Sequence, residues 1–220
     1  MVSALLDGSK TQTRRIVKPQ PTSREGGISF SHHGDAMWSA IGLDGDRQSF
    51  KCPHPVGSFI WCREAHWACG LWEQNGRSET GRQKWKFRRD KIITEARFET
   101  SNESPFLKTD VGWYKRLARF MFRRDSRITL EVTGVKVERL NDISEGDAKA
   151  EGIGVWCPFG TCAGKGWLPQ ETPTNEPRLC RCADFNSIDI YKLLWESING
   201  KGSWALNPYV WAYTLRRVKP

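Results

Sequence analysis

The stretch "RITLEVTGVKVERL", residues 127–140, is the clearest β-strand in the sequence. Its apolar residues alternate with other side chains in two runs of opposite parity: Ile128, Leu130 and Val132, then Val135 and Val137. Such alternation is typical of a strand with one buried face. The parity changes at Thr133 and Gly134, which predicts a β-bulge at the glycine, because a bulge adds one residue to a strand.

A short helix is predicted directly after this strand, in "ISEGDAKAEG", residues 143–152. Ser144 is the candidate N-cap, and Asp147 follows three residues later in a capping-box arrangement. Gly152 is the expected helix end, because glycine adopts the left-handed conformation that often terminates helices. Glu151 is therefore expected in the last turn of a short helix that follows a barrel-type strand.

The rest of the chain predicts few helices and several strands. The expected helices cover residues 2–7, ended by Gly8, and 186–200, ended by Gly200. The second is amphipathic, with inward positions at Ile190, Leu193, Leu194 and Ile198. The expected strands cover residues 58–67, 83–90 and 208–218.

The segments without a period are predicted as loops. Residues 19–57 are rich in Pro, Gly, Ser and His and predict a long flap-like loop, and 101–125 reads as irregular with a short helix. Residues 154–185 predict an inserted loop that contains four cysteines. These features together predict an α+β fold in one domain over 1–220: a small β-barrel with a few short helices and a long inserted loop.

The composition indicates a globular protein. Of the 220 residues, 27% are charged and 38% are hydrophobic, which is too apolar for a disordered chain. No apolar run approaches membrane-spanning length, and no signal-peptide pattern is present. We therefore expect a soluble, cytoplasmic protein.

A net charge of +9 is concentrated in one part of the chain. Residues 82–127 hold 14 Lys and Arg against 6 Asp and Glu, interleaved with aromatic residues. Cations for phosphates and ring faces for bases are what single-stranded nucleic acid binds. The candidate contacts in this window are Lys84, Lys86, Arg88 and Arg89. The alternative interpretation is a basic outer face over an aromatic core.

A second basic cluster lies near the start of the chain in "DGSKTQTRR", residues 7–15. It gathers Lys10, Thr13, Arg14 and Arg15 within six positions. One interpretation is a solvated basic loop. The other is a binding site for an anion, or a catalytic lysine beside a hydroxyl, since a partly desolvated lysine near another cation has a lowered pKa.

The stretch "GSKTQTRR" fits the pattern G-x-K-x-x-T-x-R through Gly8, Lys10, Thr13 and Arg15. With the bulged strand, the short helix and the closing segment "LLWESINGKGSWALNPYVWAYTLRRV" in the same order, the chain resembles the ASCH domain family. Proteins of that family have a PUA-like β-barrel, and the longer ones are common in phages and prophages. Family members usually carry a strand before the first helix, so we expect either that the barrel lacks this strand or that the true start lies upstream.

The resemblance implies a function on RNA or modified nucleosides. A small bacterial family member is an acetylcytidine amidohydrolase that uses a Lys, a Thr and a Glu, and others are described as ribonucleases. On this chain those roles fall on Lys10, Thr13 and Glu151, without a catalytic metal. Lys10 is the base or holds the oxyanion, and the nucleophile is Thr13 or a water activated by Glu151. The alternative is a non-catalytic RNA-binding module, in which Arg14 and Arg15 hold phosphates.

Seven cysteines without a secretion signal predict free thiols or metal ligands rather than disulfides. Cys157, Cys162, Cys180 and Cys182 form two pairs on the inserted loop, a pattern typical of a structural zinc site, with free loop thiols as the alternative. A second, weaker set of candidate ligands is Cys52, His54, Cys62, His66 and Cys69. In that set, Cys62 and His66 are equally compatible with core or surface roles.

Overall fold

A computed structural model describes residues 2–23, 27–34, 36–98, 107–153 and 185–218. The chain forms two compact units. Unit 1 consists of Met1–Ile60 and Ile128–Pro220, and unit 2 consists of Trp61–Arg127. Where the sequence predicts one domain over 1–220, the second unit thus interrupts the first in chain order.

The described residues are mostly antiparallel strand with few helices, compatible with a small α+β fold. The helices are α1 (Val2–Leu6), α2 (Glu145–Ala150) and α3 (Ser187–Asn199). The strands are β1 (Gln12–Ile16), β2 (Ile28–His32), β3 (Met37–Gly42), β4 (Arg47–Lys51), β5 (Phe59–Trp61), β6 (His66–Arg77), β7 (Gln83–Arg89), β8 (Ala96–Arg97), β9 (Gly112–Arg116), β10 (Thr129–Arg139) and β11 (Tyr209–Val218). None of the described helices is long and apolar enough to cross a membrane.

The main sheet of unit 1 has the strand order β1-β11-β10-β5 and curls into a half-barrel. Strand β11 lies antiparallel between β1 and β10, so the first and last strands of the described chain are neighbours. The register of β10 on β11 shifts between Val132 and Gly134, which confirms the predicted bulge. The predicted strands at 127–140 and 208–218 are confirmed as β10 and β11.

The two faces of this sheet are covered differently. On one face, α2 and α3 form an apolar core with the sheet that includes Leu140, Ala148, Leu194 and Val210. On the opposite face, aromatic rings of β2 and β3 contact rings of β11: Phe30 lies 5.0 Å from Tyr209, and Trp38 lies 5.6 Å from Trp211. Residues that alternate along β1 therefore face either the helices or the aromatic layer.

The prediction of a loop over 19–57 is wrong for its central part, because β2, β3 and β4 form an antiparallel three-stranded sheet there. The buried positions of β3 are small, with Ser39 and Ala40 each only 3% exposed. Alternation of small and polar residues gives no hydrophobic period, so the sequence pattern did not indicate strands.

Helix α3 has the predicted ends but a rotated buried face. The Asn186 side chain accepts a hydrogen bond from the Asp189 amide (2.8 Å), and Gly200 ends the helix at φ +98°. The buried residues are Tyr191, Leu194 and Trp195, whereas the predicted inward residue Ile198 is 63% exposed. The large aromatic side chains thus decide which face packs on the sheet.

Unit 2 is a second antiparallel sheet built around the long strand β6, which pairs with β7, β8 and β9. The sequence predicted one strand over 58–67, but β5 ends at Trp61 and β6 begins at His66. Strand β7 matches the predicted strand at 83–90. The irregular segment predicted over 101–125 contains β9 and two single 3-10 turns, Ala118–Phe120 and Arg123–Asp125.

Candidate active site

Lys10 and Glu151 are brought together although 141 positions separate them. The two residues form an isolated antiparallel β-bridge, and the Thr11 amide donates to the Ala150 carbonyl (2.8 Å). The Lys10 ammonium lies 2.7 Å from Glu151 Oε2 and donates a second hydrogen bond to the Glu151 carbonyl (2.8 Å). Lys10 is 9% exposed and Glu151 is 3% exposed, so the pair is buried.

Gly152 allows this close approach. Its φ is +80°, a conformation that side chains rarely tolerate. A Cβ at this position would lie 2.8 Å from the Lys10 Cβ and 2.9 Å from the Ala4 Cβ. The glycine that ends α2, as predicted, therefore also makes room for the lysine.

Arg14 is the second cation of the site, and its side chain is fully buried. Its guanidinium contacts three carboxylates: Nε donates to Glu138 Oε1 (2.9 Å), while Nη1 lies 3.2 Å from Glu151 Oε1 and Nη2 lies 3.3 Å from Asp147 Oδ2. The Nη2 contacts are ionic rather than well-aligned hydrogen bonds. The expectation that Arg14 holds a nucleic-acid phosphate stays a prediction; in this structure carboxylates inside the protein compensate its charge.

Asp147 connects the site to a rim of partly exposed groups. Burial alone would raise its pKa, but the Gln12 amide (2.7 Å), the Lys136 ammonium and Arg14 lower the pKa below 3.8. The Ser144 hydroxyl accepts from the Asp147 amide (3.1 Å), which confirms the predicted N-cap. The Asp147 carboxylate does not complete the capping box, because these polar partners hold it instead.

Tyr191 is a member of the site that the sequence analysis missed. Its hydroxyl donates to Glu151 Oε1 (3.4 Å), and burial together with the Glu151 charge raises its pKa above the ordinary value of 10. The phenol therefore stays protonated and acts as a hydrogen-bond donor. Its position was signalled by the helical spacing of Tyr191, Leu194 and Trp195, which places a polar aromatic residue on the buried stripe.

The surroundings lower the pKa of Lys10 below 10.5. Burial is the largest cause, because it disfavours the charged form, and the neighbouring Arg15 and Arg14 act in the same direction. Glu151 opposes them by stabilising the ammonium. The Lys10 ammonium therefore loses its proton more readily than that of a surface lysine.

Thr13 and Arg15 point away from the buried carboxylates. They pair with Tyr213 and Trp211 of β11, whereas Arg14 pairs with Ala212, so alternation along β1 places them on the aromatic face of the sheet. Arg15 is exposed and Thr13 is half-buried. Among the described residues, no hydrogen bond joins the Thr13 hydroxyl to Lys10 or Glu151. The structure therefore unites two of the three predicted catalytic residues.

The predicted nucleic-acid contacts of unit 2 separate into two groups. Lys84, Lys86 and Arg88 are exposed and alternate along one face of β7. Arg88 is paired with Glu73 (3.1 Å) in an exposed salt bridge. Arg89 lies on the opposite face and is paired with Asp125.

The candidate zinc ligands Cys157, Cys162, Cys180 and Cys182 lie outside the described residues, and the zinc site stays a prediction. The second, weaker set also stays a prediction. Within the described ranges, no three His, Cys, Asp or Glu residues are grouped so that they hold a metal ion. Cys52 instead contacts the Tyr213 hydroxyl (3.7 Å), and the His66 Nδ1 donates to the Glu64 carbonyl (3.1 Å).

The arrangement is suited to proton transfer. An ammonium has three N–H donors, and Glu151 accepts two of those of Lys10. Among the described residues, nothing accepts the third. A neutral Lys10 amine keeps both hydrogen bonds to Glu151 and has its lone pair at this third position, as a general base requires.

Comparisons of the chain with protein-family models, with curated proteins and with solved structures each found no match. The similarity to the ASCH domain family therefore stays an expectation from the sequence motifs.

Proposed function

We propose that the protein is a hydrolase that acts on RNA or a modified nucleoside, with Lys10 as the general base. The observation that carries the proposal is the buried pair of Lys10 and Glu151, at 2.7 Å, with a lysine whose pKa is lowered by burial. Such a perturbed group with a specific charged partner is common at catalytic sites. The substrate class follows from the resemblance and from the basic, aromatic-rich composition of residues 82–127.

In the proposed reaction, the neutral Lys10 amine takes a proton from a water molecule as the water attacks the acyl carbon of an amide. Glu151 stabilises the ammonium that forms, as a carboxylate behind a catalytic base does. When the tetrahedral intermediate collapses, Lys10 returns the proton to the departing amine, and the acyl group leaves as a carboxylic acid. With acetylcytidine the products are cytidine and acetate.

Glu151 is suited to orientation rather than to proton abstraction. Besides Lys10, its carboxylate contacts Arg14 (3.2 Å) and accepts from the Tyr191 hydroxyl (3.4 Å). These contacts occupy both carboxylate oxygens and hold the group in one orientation. Water is the proposed nucleophile, because Thr13 occupies the opposite face of β1.

One observation favours a non-catalytic RNA-binding module as the second candidate. In the ion-pair network, the buried cations Lys10 and Arg14 and the exposed Lys136 face the three carboxylates Glu138, Asp147 and Glu151. A balanced network of this kind also serves structure alone. The exposed Lys84, Lys86 and Arg88 of unit 2 would then be the main phosphate contacts.

Product analysis by mass spectrometry tests the proposal. The purified chain is incubated with acetylcytidine and, separately, with a mixed RNA, beside the variants Lys10→Ala and Lys149→Ala. Lys149 is an exposed lysine of α2, two positions from Glu151, so its loss removes the same charge without touching the pair. Deacetylation or cleavage that Lys10→Ala loses and Lys149→Ala keeps supports the proposal, provided both variants fold by circular dichroism. No product from either substrate, with RNA binding retained, favours the binding module.

The pH dependence of turnover tests the role of Lys10. A general base must be deprotonated, so kcat/KM is expected to rise with pH and to level off above the Lys10 pKa, which lies below 10.5. The variant Lys10→Arg keeps the charge and loses the titration, so it should lack the rising limb and the activity. A profile that falls over the same range would mean that Lys10 acts as an ammonium.

A further inference from the structure

A cavity of about 440 Å³ in unit 2 is lined by arginines and phenylalanines. Its walls include three arginines and three phenylalanines: Arg89, Arg116, Arg119, Phe87, Phe120 and Phe122. This volume falls within the ~300–1,000 Å³ typical of small-molecule sites. The cavity was not a candidate in the sequence analysis, although it lies in the basic, aromatic-rich window.

Arg116 is fixed in this cavity by aromatic rings. Its guanidinium carbon lies 4.2 Å from the centroid of Phe87 and 4.7 Å from the centroids of both Trp72 and Phe120. Ring faces hold a guanidinium by cation–π attraction while its N–H groups remain available at the edge. Burial lowers the pKa of Arg116, but arginine stays charged at any physiological pH.

Two of the three cavity arginines have no carboxylate partner in the part of the chain that the structure describes. Among the described residues, no carboxylate lies within ion-pair distance of Arg116 or Arg119. Asp125 pairs with Arg89, yet the buried Nε of Arg89 has no hydrogen-bond partner in the described structure. Unit 2 as a whole carries 16 Lys and Arg against 9 Asp and Glu, a net charge of +7. The cavity is thus chemically suited to an anion.

The rim of the cavity adds two half-exposed phenylalanine rings, which arginines also contact: Arg119 lies 5.0 Å from the centroid of Phe120, and Arg124 lies 5.4 Å from the centroid of Phe122. Both rings follow β9 within six positions, and Phe120 is 48% exposed and Phe122 is 54% exposed. Such rings lie beside Arg116 and Arg119, which have no carboxylate partner among the described residues. This arrangement fits a ligand with both a flat ring and a negative charge. Nucleotides combine these two features.

We propose that this cavity binds a nucleotide unit of single-stranded nucleic acid, with its phosphate on Arg116 and Arg119 and its base against Phe120 and Phe122. A free mononucleotide has the same chemistry and is the second source to be tested. A duplex does not fit the proposal, because its bases are stacked on one another and cannot reach the rings. The proposal goes beyond the hydrolase assignment and depends on different residues.

The test is fluorescence anisotropy of a labelled uridine octamer with the full chain, as a function of salt. Arg119→Gln is expected to weaken binding about fivefold and to reduce the slope of log K against log salt by about 0.7, the contribution of one phosphate in a single strand. Phe122→Ala is expected to weaken binding about tenfold through lost stacking. Arg116→Met, which keeps an apolar stem on the rings, should weaken binding at least as much as Arg119→Gln.

The matched control is Lys115→Gln, which removes the same charge from an exposed position on the opposite face of β9. Register places Lys115 opposite Trp67, whereas Arg116 lies opposite the cavity residue His66. This control is expected to stay within about twofold of the unmodified chain, since a charge outside the cavity acts only through the screened field. Equal losses in Lys115→Gln and Arg119→Gln, or no loss in Phe122→Ala, would overturn the proposal.

Two competition arms identify the source of the ligand. If uridine monophosphate displaces the octamer from the unmodified chain but not from Arg119→Gln, the cavity is assigned to free nucleotides. If uridine monophosphate does not displace the octamer, the cavity is assigned to single strands. Equal binding of a duplex, or no octamer binding at low salt, would contradict the proposal. The loss of octamer binding in Arg119→Gln and Phe122→Ala reports on the cavity of unit 2, whereas product formation reports on Lys10, so the two proposals fail separately.

Discussion

Lys10 in unit 1 and Arg116 in unit 2 are both basic side chains whose pKa is lowered by burial, yet their surroundings differ. Lys10 has a carboxylate oxygen at 2.7 Å, and a second buried cation, Arg14, shares that carboxylate. Arg116 has three aromatic rings around it and no carboxylate within ion-pair distance among the described residues.

This difference in surroundings suits Lys10 to a chemical step and Arg116 to the binding of a ligand. Burial lowers the pKa of Lys10, so this lysine loses its proton more readily than a surface lysine and its charge is conditional, which suits a reaction. An arginine on aromatic rings keeps its charge, so its N–H groups stay available to an anionic ligand. The net charges agree with this division: unit 2 carries +7 of the +9, and the rest of the chain carries +2.

The largest expected effect concerns the compensated network of unit 1. Arg14→Gln should lower the free energy of unfolding by about 3–5 kcal/mol, because it leaves buried carboxylates without their shared counterion. The neighbouring Arg15→Gln, at an exposed position, should change it by less than about 0.5 kcal/mol. Urea unfolding of the two variants measures both values. Similar losses in the pair would mean that Arg14 is not the centre of the network.

Gly152→Ala should have the next largest effect. The new methyl group would meet Lys10 and Ala4 below 3.0 Å, at a φ of +80°, so we expect a loss of about 2–3 kcal/mol. Gly146→Ala, at the second residue of α2, is the control, because its Cβ would meet only the Ser144 hydroxyl at 3.8 Å. That change should be neutral or stabilise by up to about 1 kcal/mol. Thermal unfolding distinguishes the two, and a neutral Gly152→Ala would show that the Lys10 approach is not tight.

Asp147→Asn should have a smaller and pH-dependent effect. The folded-state pKa of Asp147 is lowered below 3.8, so its stabilisation is fully present above that value and is lost as the pH falls through the folded-state pKa. The variant should therefore be less stable than the unmodified chain near neutral pH, and the difference should shrink in acid. Unfolding curves at several pH values measure this. A difference that stays constant down to pH ~2 would exclude the ionised carboxylate as the cause.

The smallest effect is expected in unit 2. Glu73→Gln breaks the salt bridge with Arg88. The Glu73 side chain is 42% exposed and the Arg88 side chain is 59% exposed. Surface salt bridges contribute about 0–1 kcal/mol, so the free energy of unfolding, measured by urea unfolding, should change by less than about 0.5 kcal/mol. A loss as large as that of Arg14→Gln would remove the contrast between the two units.

The sequence predicted the elements that depend on local chemistry. The bulge at Gly134, the cap at Ser144 and the end of α3 at Gly200 were each indicated by a residue type with a specific backbone role. The strands β2 to β4 were missed because small residues such as Ser39 fill their buried positions. Their burial depends on large aromatic side chains elsewhere in unit 1.

The site was predicted in part for the same reason. The motif indicated Lys10 and Glu151, which the structure joins through a β-bridge. The burial of Arg14 depends on the register of three strands and on Glu138 and Asp147, which are 124 and 133 positions away in the sequence. Such pairing has no local signal. The participation of Tyr191 depends likewise on the face that α3 presents to the sheet.

The most direct test of the account is an NMR titration of the Lys10 side chain. The chain is labelled with ¹³C-lysine, and the Lys10 signal is assigned as the one missing from Lys10→Met. Lys10 is predicted to titrate below the ordinary lysine value of 10.5. A Lys10 amine that titrates at or above 10.5 would mean that its pairing with Glu151 outweighs burial, and would contradict its role as the general base.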